Sequence, residues 1–322
     1  MKSTLKRINV SKINYSNWRF NSGFLNNFIR IKNLFAFLAL LTLTVSTYSQ
    51  EAQQDSTKTE TLDEVSVKAI RVNATSPITH TNVTKEQLDK RNLGQDLPIL
   101  LNYLPSVVTT SDAGAGVGYT GIRVRGVSAQ STNITINGIP YNDAESLGTF
   151  WVNLGDFSSS VESLQLQRGV GTSTNGSGAF GASINILTDA ISETANAEIS
   201  NSFGSYNTRK HNVKFSTGRL NNHFEFAGRL SQIQSDGYID RASSNLKSYF
   251  LQGSYVDDNT LIKAITFSGH EITYQSWNGL EDLDLLENDR TYNPARMYTD
   301  DNGDVLFYDN EVDNYKQHHY QL

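Results

Sequence analysis

Apolar and polar positions change rhythm several times along this chain. Leu34 to Val45 is an almost unbroken apolar run, LFAFLALLTLTV. Leu97, Leu100, Leu101 and Leu104 then recur at the spacing of one helix face. Between Val107 and Ile186 short stretches alternate apolar with polar residues, the period of half-buried strands. From about Ala195 the alternating runs lengthen. His211, Val213, Phe215 and Thr217 share one face and Lys210, Asn212, Lys214 and Ser216 the other. Phe224, Phe226 and Leu230 oppose Glu225, Arg229 and Ser231, and Tyr249, Leu251 and Tyr255 face away from Gln252 and Ser254. Leu261, Ile265 and Phe267 keep the same period. Alternation over runs of about ten residues is the mark of membrane β-strands.

The first apolar run is preceded by Arg30 and Lys32 and followed by small residues up to Ser49. A basic flank, a short apolar centre and a small-residue end describe an export signal over residues 1–49. The run is too short to span a bilayer as a helix. A buried helix of a cytoplasmic protein is the alternative, but it leaves the absence of acidic residues before Glu51 unexplained. Residues 50–75 are a flexible segment, polar from Gln50 to Glu60 and then carrying the β-prone patch Leu62, Val65 and Val67 between charges. Such a patch can add itself as a strand to the exposed sheet edge of a partner, or it can be the first strand of the next domain.

Residues 76–190 predict an α+β domain of short strands and short helices. Thr84 is placed to cap a helix, with Gln87 three residues on. A second helix is expected over Gly94–Leu104, stopped by Pro105. Strands are expected at Val107–Thr110, Gly121–Val127, Asn133–Ile136, Val161–Gly169 and Ala182–Ile186. Asn137-Gly138 is a tight-turn signal. Residues 195–322 then predict five antiparallel strands and part of a sixth. Short turns are expected at 220–222 and 257–259, with longer connections at 235–245 and 276–314.

Composition narrows the function. The chain has 27 basic and 33 acidic residues and no cysteine, and its mean hydropathy is −0.42. Without the seven basic residues of positions 1–50 it is strongly acidic, which disfavours nucleic acid as a partner. No thiolate metal site, cysteine nucleophile or disulfide is possible. Gly176 to Gly181 matches G-x-G-x-x-G, but a dinucleotide site needs a helix directly after the glycines, and Ser183-Ile184-Asn185-Ile186 is strand-like. No Lys follows them, so a phosphate-binding loop is absent too. Asp300, Asn302, Asp304 and Glu311 approach a calcium-loop spacing, but Val305 stands where glycine is needed; a hairpin is the preferred reading. His318 and His319 are adjacent, on opposite strand faces, and do not suit a shared metal. The residues show no catalytic constellation, cofactor site or metal site.

The blocks LPSV (104–107), IRVRGV (122–127), NITINGIPYND (133–143) and LQLQRGVGTSTNGSGAFGASINI (164–186) resemble, in order and spacing, the plug domain of TonB-dependent outer-membrane receptors. Leu62, Asp63, Glu64, Val65, Val67 and Ala69 resemble the TonB box, the peptide through which that family couples to the periplasmic energy-transducing protein TonB. The resemblance implies a plug followed by the first strands of an incomplete transmembrane β-barrel, since a barrel that holds a plug has about 22 strands. It implies that Arg123, Arg125, Gly126, Arg168 and Gly169 lock the plug, the arginines by pairing with barrel glutamates. It further implies an outer-membrane location in a Gram-negative bacterium and contact with membrane lipid. The implied activity is active uptake of an extracellular small molecule, most often a ferric siderophore or other iron complex, with a corrinoid or oligosaccharide as other cargoes. A secreted β-sandwich binding module would also explain export and alternation, but not the order of the plug-like blocks.

Overall fold

The computed structural model describes residues 71–73, 75–170 and 180–322. The expected export signal, the TonB-box residues 62–69 and most of the glycine-rich stretch lie outside the described residues.

The first part is built from β1 (His80–Thr84), α1 (Lys85–Asp89), α2 (Leu97–Leu100), β2 (Val107–Ser111), β3 (Thr120–Val124), β4 (Thr132–Ile136), β5 (Ile139–Pro140), β6 (Val161–Arg168) and β7 (Ala182–Thr188). Five strands make one sheet in the order β1-β6-β7-β4-β5; β4 and β7 run parallel and the other pairs antiparallel. A separate hairpin pairs β2 with β3. The second part is an antiparallel meander of β8 (Asn196–Phe203), β9 (Arg209–Ser216), β10 (Phe224–Ser235), β11 (Ser244–Val256), β12 (Leu261–Tyr274) and β15 (Val312–Gln321). Its last long connection carries α3 (Leu283–Asn288) and the hairpin β13 (Met297–Thr299) and β14 (Val305–Phe307). An α+β part followed by antiparallel strands is thus the architecture observed. Among the described residues the six strands form an open sheet with β8 and β15 at its edges.

Local chemistry explains most boundaries. Thr84 Oγ1 accepts the Gln87 amide proton (3.4 Å) and Gln87 Oε1 accepts that of Thr84 (3.0 Å), a complete capping box. The second helix is shorter than its apolar spacing predicts. Gly94 has φ +119° and stays outside it, Pro98 sits in its first turn, and beyond Leu100 the chain turns before Pro105. Leu97, Leu100, Leu101 and Leu104 are nonetheless all buried. Asn137 and Gly138 have φ 53° and 83° and join β4 to β5 in the left-handed conformation that a two-residue hairpin loop requires. The strand expected to reach Val127 ends at Val124, because Arg125 and Gly126 both turn to positive φ.

Most strands of the meander divide their faces as the alternation suggests. On β9, Lys210 and Asn212 are buried while Val213 and Phe215 are exposed; on β10, Glu225, Arg229 and Ser231 are buried while Phe224, Phe226 and Leu230 are exposed. The buried face rests on the α+β part, so polar residues point inward and apolar ones outward. β12 departs from this rule. Ile265 and Phe267 are on the inner side and join Phe250, Trp151, Leu154 and Phe157 in the main apolar core. Each such side chain contributes about 1.5–3 kcal/mol by leaving water, so part of the contact between the two parts is ordinary core.

The connection from β13 to β14 is a hairpin, in keeping with the reading preferred from sequence. Its loop is five residues long, 300–304, and the Asp300 carboxylate accepts the amide protons of Asn302 and Asp304 at 2.9 Å each. β7 follows directly on Gly181, so the helix needed by a dinucleotide site is absent there.

Candidate functional site

The α+β part meets the meander through the segment Trp151–Ser160, two single-turn 3-10 helices separated by Gly155 and Asp156. Asp156 adopts φ 52°, ψ 24°, which aims its carboxylate at the strands. That carboxylate is fully buried. Oδ1 lies 2.7 Å from Lys210 Nζ and accepts from Ser159 Oγ at 2.6 Å. Oδ2 accepts from Asn212 Nδ2 at 2.5 Å and Ser231 Oγ at 2.6 Å, and lies 3.4 Å from the Arg229 guanidinium. Burial pushes the Asp156 carboxyl up, but Arg229 and Lys210 outweigh it and hold the group at about 2. Around it, Arg229 Nε donates to Ser160 Oγ (2.7 Å), Ser248 Oγ to the Gly155 carbonyl (2.7 Å) and Lys214 Nζ to the Ser159 carbonyl (3.0 Å).

A second carboxylate continues this junction. Asp189, just past β7, lies 2.6 Å from Lys85 Nζ through Oδ1 and 2.6 Å from Lys214 Nζ through Oδ2. Burial opposes the charge on Lys85, but Asp189 prevails and raises that ammonium above its ordinary range. Beyond Asp189, Glu225 Oε1 accepts from the Ser192 amide and Ser216 Oγ, tying the connection to the meander. Backbone also closes the contact. Gly269 of β12 lies against the Asn153 carbonyl so tightly that any Cβ would overlap it, and a Cβ on Gly155 would come within 3.2 Å of Leu246. Charged groups buried in this way are costly unless paired, and one-sided removal is more costly still.

The expected locking residues occupy a different region. Arg168 is buried; its Nε donates to the Pro105 carbonyl and its NH2 to Thr81 Oγ1, both at 2.9 Å and both within the α+β part. Burial first, and Arg125 second, lower its pKa. Arg123 and Arg125 are exposed, and the Arg125 guanidinium lies over Gly169, whose φ is +92°. Gly126 has φ +74°. Among the described residues none of these arginines pairs with a strand glutamate. The ion pairs that do join the two parts have the opposite polarity, with acids on the α+β part and cations on the strands. The alternation of the strands puts Lys210, Lys214 and Arg229 on the polar face without indicating a partner, and nothing in it assigns Asp156 a role. The available signal was an acid in an apolar run, WVNLGDF, facing strands with three inward cations.

At the end of the sheet with the longer connections lies a cavity of about 800 Å³. Loop 141–150 and Tyr119 line it from the α+β part; Glu271, Asp313, Tyr315 and Gln317 line it from β12 and β15. Tyr119 Oη donates to Asp313 Oδ2 (3.0 Å) and Tyr141 Oη to Gln317 Oε1 (3.3 Å). Burial raises the pKa of both tyrosines, so both stay protonated donors. Among the described residues no group of three or more His, Cys, Asp and Glu is arranged to hold a metal ion.

A family model described as TonB-dependent receptor plug domain matches residues 72–183. A curated relative, the probable TonB-dependent siderophore receptor PirA of Acinetobacter baumannii, is 22% identical over 175 residues, or 50% of this chain and 23% of the relative. Among solved structures, the unliganded ferric citrate transporter FecA matches with a TM-score of 0.54 and 17% identity over 67% of this chain and 34% of its own. The copper transporter OprC matches with a TM-score of 0.53 and 15% identity over 64% and 33%. The chain therefore spans about a quarter of the curated relative and a third of these solved chains. These structural likenesses concern the fold: a plug seated on antiparallel strands of a partial barrel.

Proposed function

We propose, from the premise that residues 72–183 are a TonB-dependent receptor plug domain, that this chain serves active uptake of a scarce small molecule across a Gram-negative outer membrane. The observation that carries the reading is the inward polar, outward apolar division of the strands around a buried Asp156 junction. A sheet whose outer face is Phe215, Phe224, Phe226 and Leu230 suits lipid, and a polar inner face suits a plugged pore. On this reading the connections 204–208, 236–243 and 275–311 face outward, and the cavity beneath them receives the ligand. The turns 217–223 and 257–260 face the periplasm.

Leu62, Asp63, Glu64, Val65, Val67 and Ala69 then add a strand to TonB, and the pull remodels the plug. Arg123, Arg125, Gly126, Arg168 and Gly169 lock it against barrel glutamates, alongside the Asp156 junction. The cargo is a ferric siderophore or another iron complex, as the names of the relatives suggest. No step of this cycle makes or breaks a covalent bond, and the protein acts as a transporter.

The test is accumulation of labelled iron complexes by energised cells with and without the gene, and with Val65→Pro. Proline removes an amide donor from an added strand. Surface binding is expected to survive in this variant while accumulation is lost. Accumulation that does not depend on the gene, for every complex tried, overturns the reading.

A further inference from the structure

The cavity above the plug carries one sign of charge. Its acids are Asp143, Glu145, Glu271 and Asp313, and among the described residues its lining contains no Lys, Arg or His. None of the four is ion-paired among the described residues. Asp313 accepts only from neutral donors, Tyr119 Oη and Gln275 Nε2. A second observation is independent of the charge count. Glu271 is 3% exposed and its Oε2 has no hydrogen-bond partner; the buried Oδ1 of Asn153 in the same lining has none either. Both are acceptors. Buried acceptors left open cost free energy unless a donor arrives. Tyr119, Tyr141 and Tyr315 add aromatic rings, whose faces attract cations.

We infer that this cavity takes the positively charged part of its ligand, a chelate bearing an ammonium or equivalent cationic donor, and turns away anionic chelates. The inference rests on the uptake reading for its setting and names the class of cargo. Glu271 is the principal determinant, since it is buried and its Oε2 is open to a donor; Asp313 supports it from the neighbouring strand. An anionic complex brings further negative charge into a space already lined by four acidic side chains, and it supplies none of the missing donors.

The test uses the full-length receptor in detergent and two probes that differ by one charge. One is a ferric trihydroxamate with a free terminal ammonium; the other is the same complex acetylated at that amine. Affinity is read by calorimetry. The ammonium form is expected to bind about tenfold more tightly, the usual worth of one charge-assisted contact. Glu271→Gln and Asp313→Asn, each made separately in case one does not fold, are expected to shrink that ratio toward one. Lys316→Gln, on the opposite face of β15, is expected to leave it unchanged. Equal affinity for the two probes, no binding of either, or an unchanged ratio in both acid variants overturns the inference. Detergent binding needs no energised cell. A preserved ratio without cellular accumulation would therefore count against uptake and leave the charge preference standing.

Discussion

Asp156 of the plug and Lys210 of β9 form a buried ion pair, 2.7 Å apart, with the ammonium side chain only 4% exposed. Asp156→Asn leaves Lys210 and Arg229 without the carboxylate they share. Loss of about 3–5 kcal/mol is expected from one-sided removal of such a pair. Denaturant unfolding of the purified protein measures it, and unchanged stability would mean that the cations relax to solvent.

The same carboxylate sets an acid limit. Its pKa is about 2 in the folded protein against an ordinary value of 3.8. A depressed carboxyl stabilises the fold above its unfolded pKa and loses that contribution as pH falls through the folded one. Stability is therefore expected to drop between about pH 4 and pH 2, by about 2 kcal/mol from this group. Thermal melts across that interval should show the step, and Asp156→Asn should flatten it.

Gly269→Ala places a methyl group against the Asn153 carbonyl, which cannot swing away as a side chain would. A loss of about 1–3 kcal/mol is expected from such overpacking. Gly228→Ala is the comparison, because its new Cβ meets the flexible ends of Leu251 and Phe215 on the outer face. Melting temperatures should fall more for Gly269→Ala; equal falls would refute the close approach of β12 to the plug.

Thr84→Ala removes one half of the capping box at α1. About 1 kcal/mol of local helix stability should go. Faster hydrogen exchange at residues 86–89, with little change in β6, is the expected pattern.

The strands were legible in the sequence wherever one face is polar. On β9 the alternation of Lys210, Asn212 and Lys214 with Val213 and Phe215 identifies both the strand and its faces. On β12 alternation gave the period but not the side: Ile265 and Phe267 both join the buried core, Phe267 against Phe157. A residue pattern reports which positions share a face and not what covers it. The turn at Asn137-Gly138 and the Thr84 cap were readable because their chemistry is local. The Asp156 junction was not, because its strand partners lie more than fifty residues away and meet only through the register of β9 with β10. The cavity was hidden for the same reason, with Asp143 and Asp313 brought together only by the fold.

The polarity of the Asp156 junction bears on grafting. A plug transplanted onto foreign strands would carry a buried acid without the two cations that neutralise it, and the strands left behind would keep theirs. Interchange between proteins of this architecture therefore depends on a matched seam of charge, and chimaeras that move residues 151–160 together with positions 210 and 229 are the ones to build first.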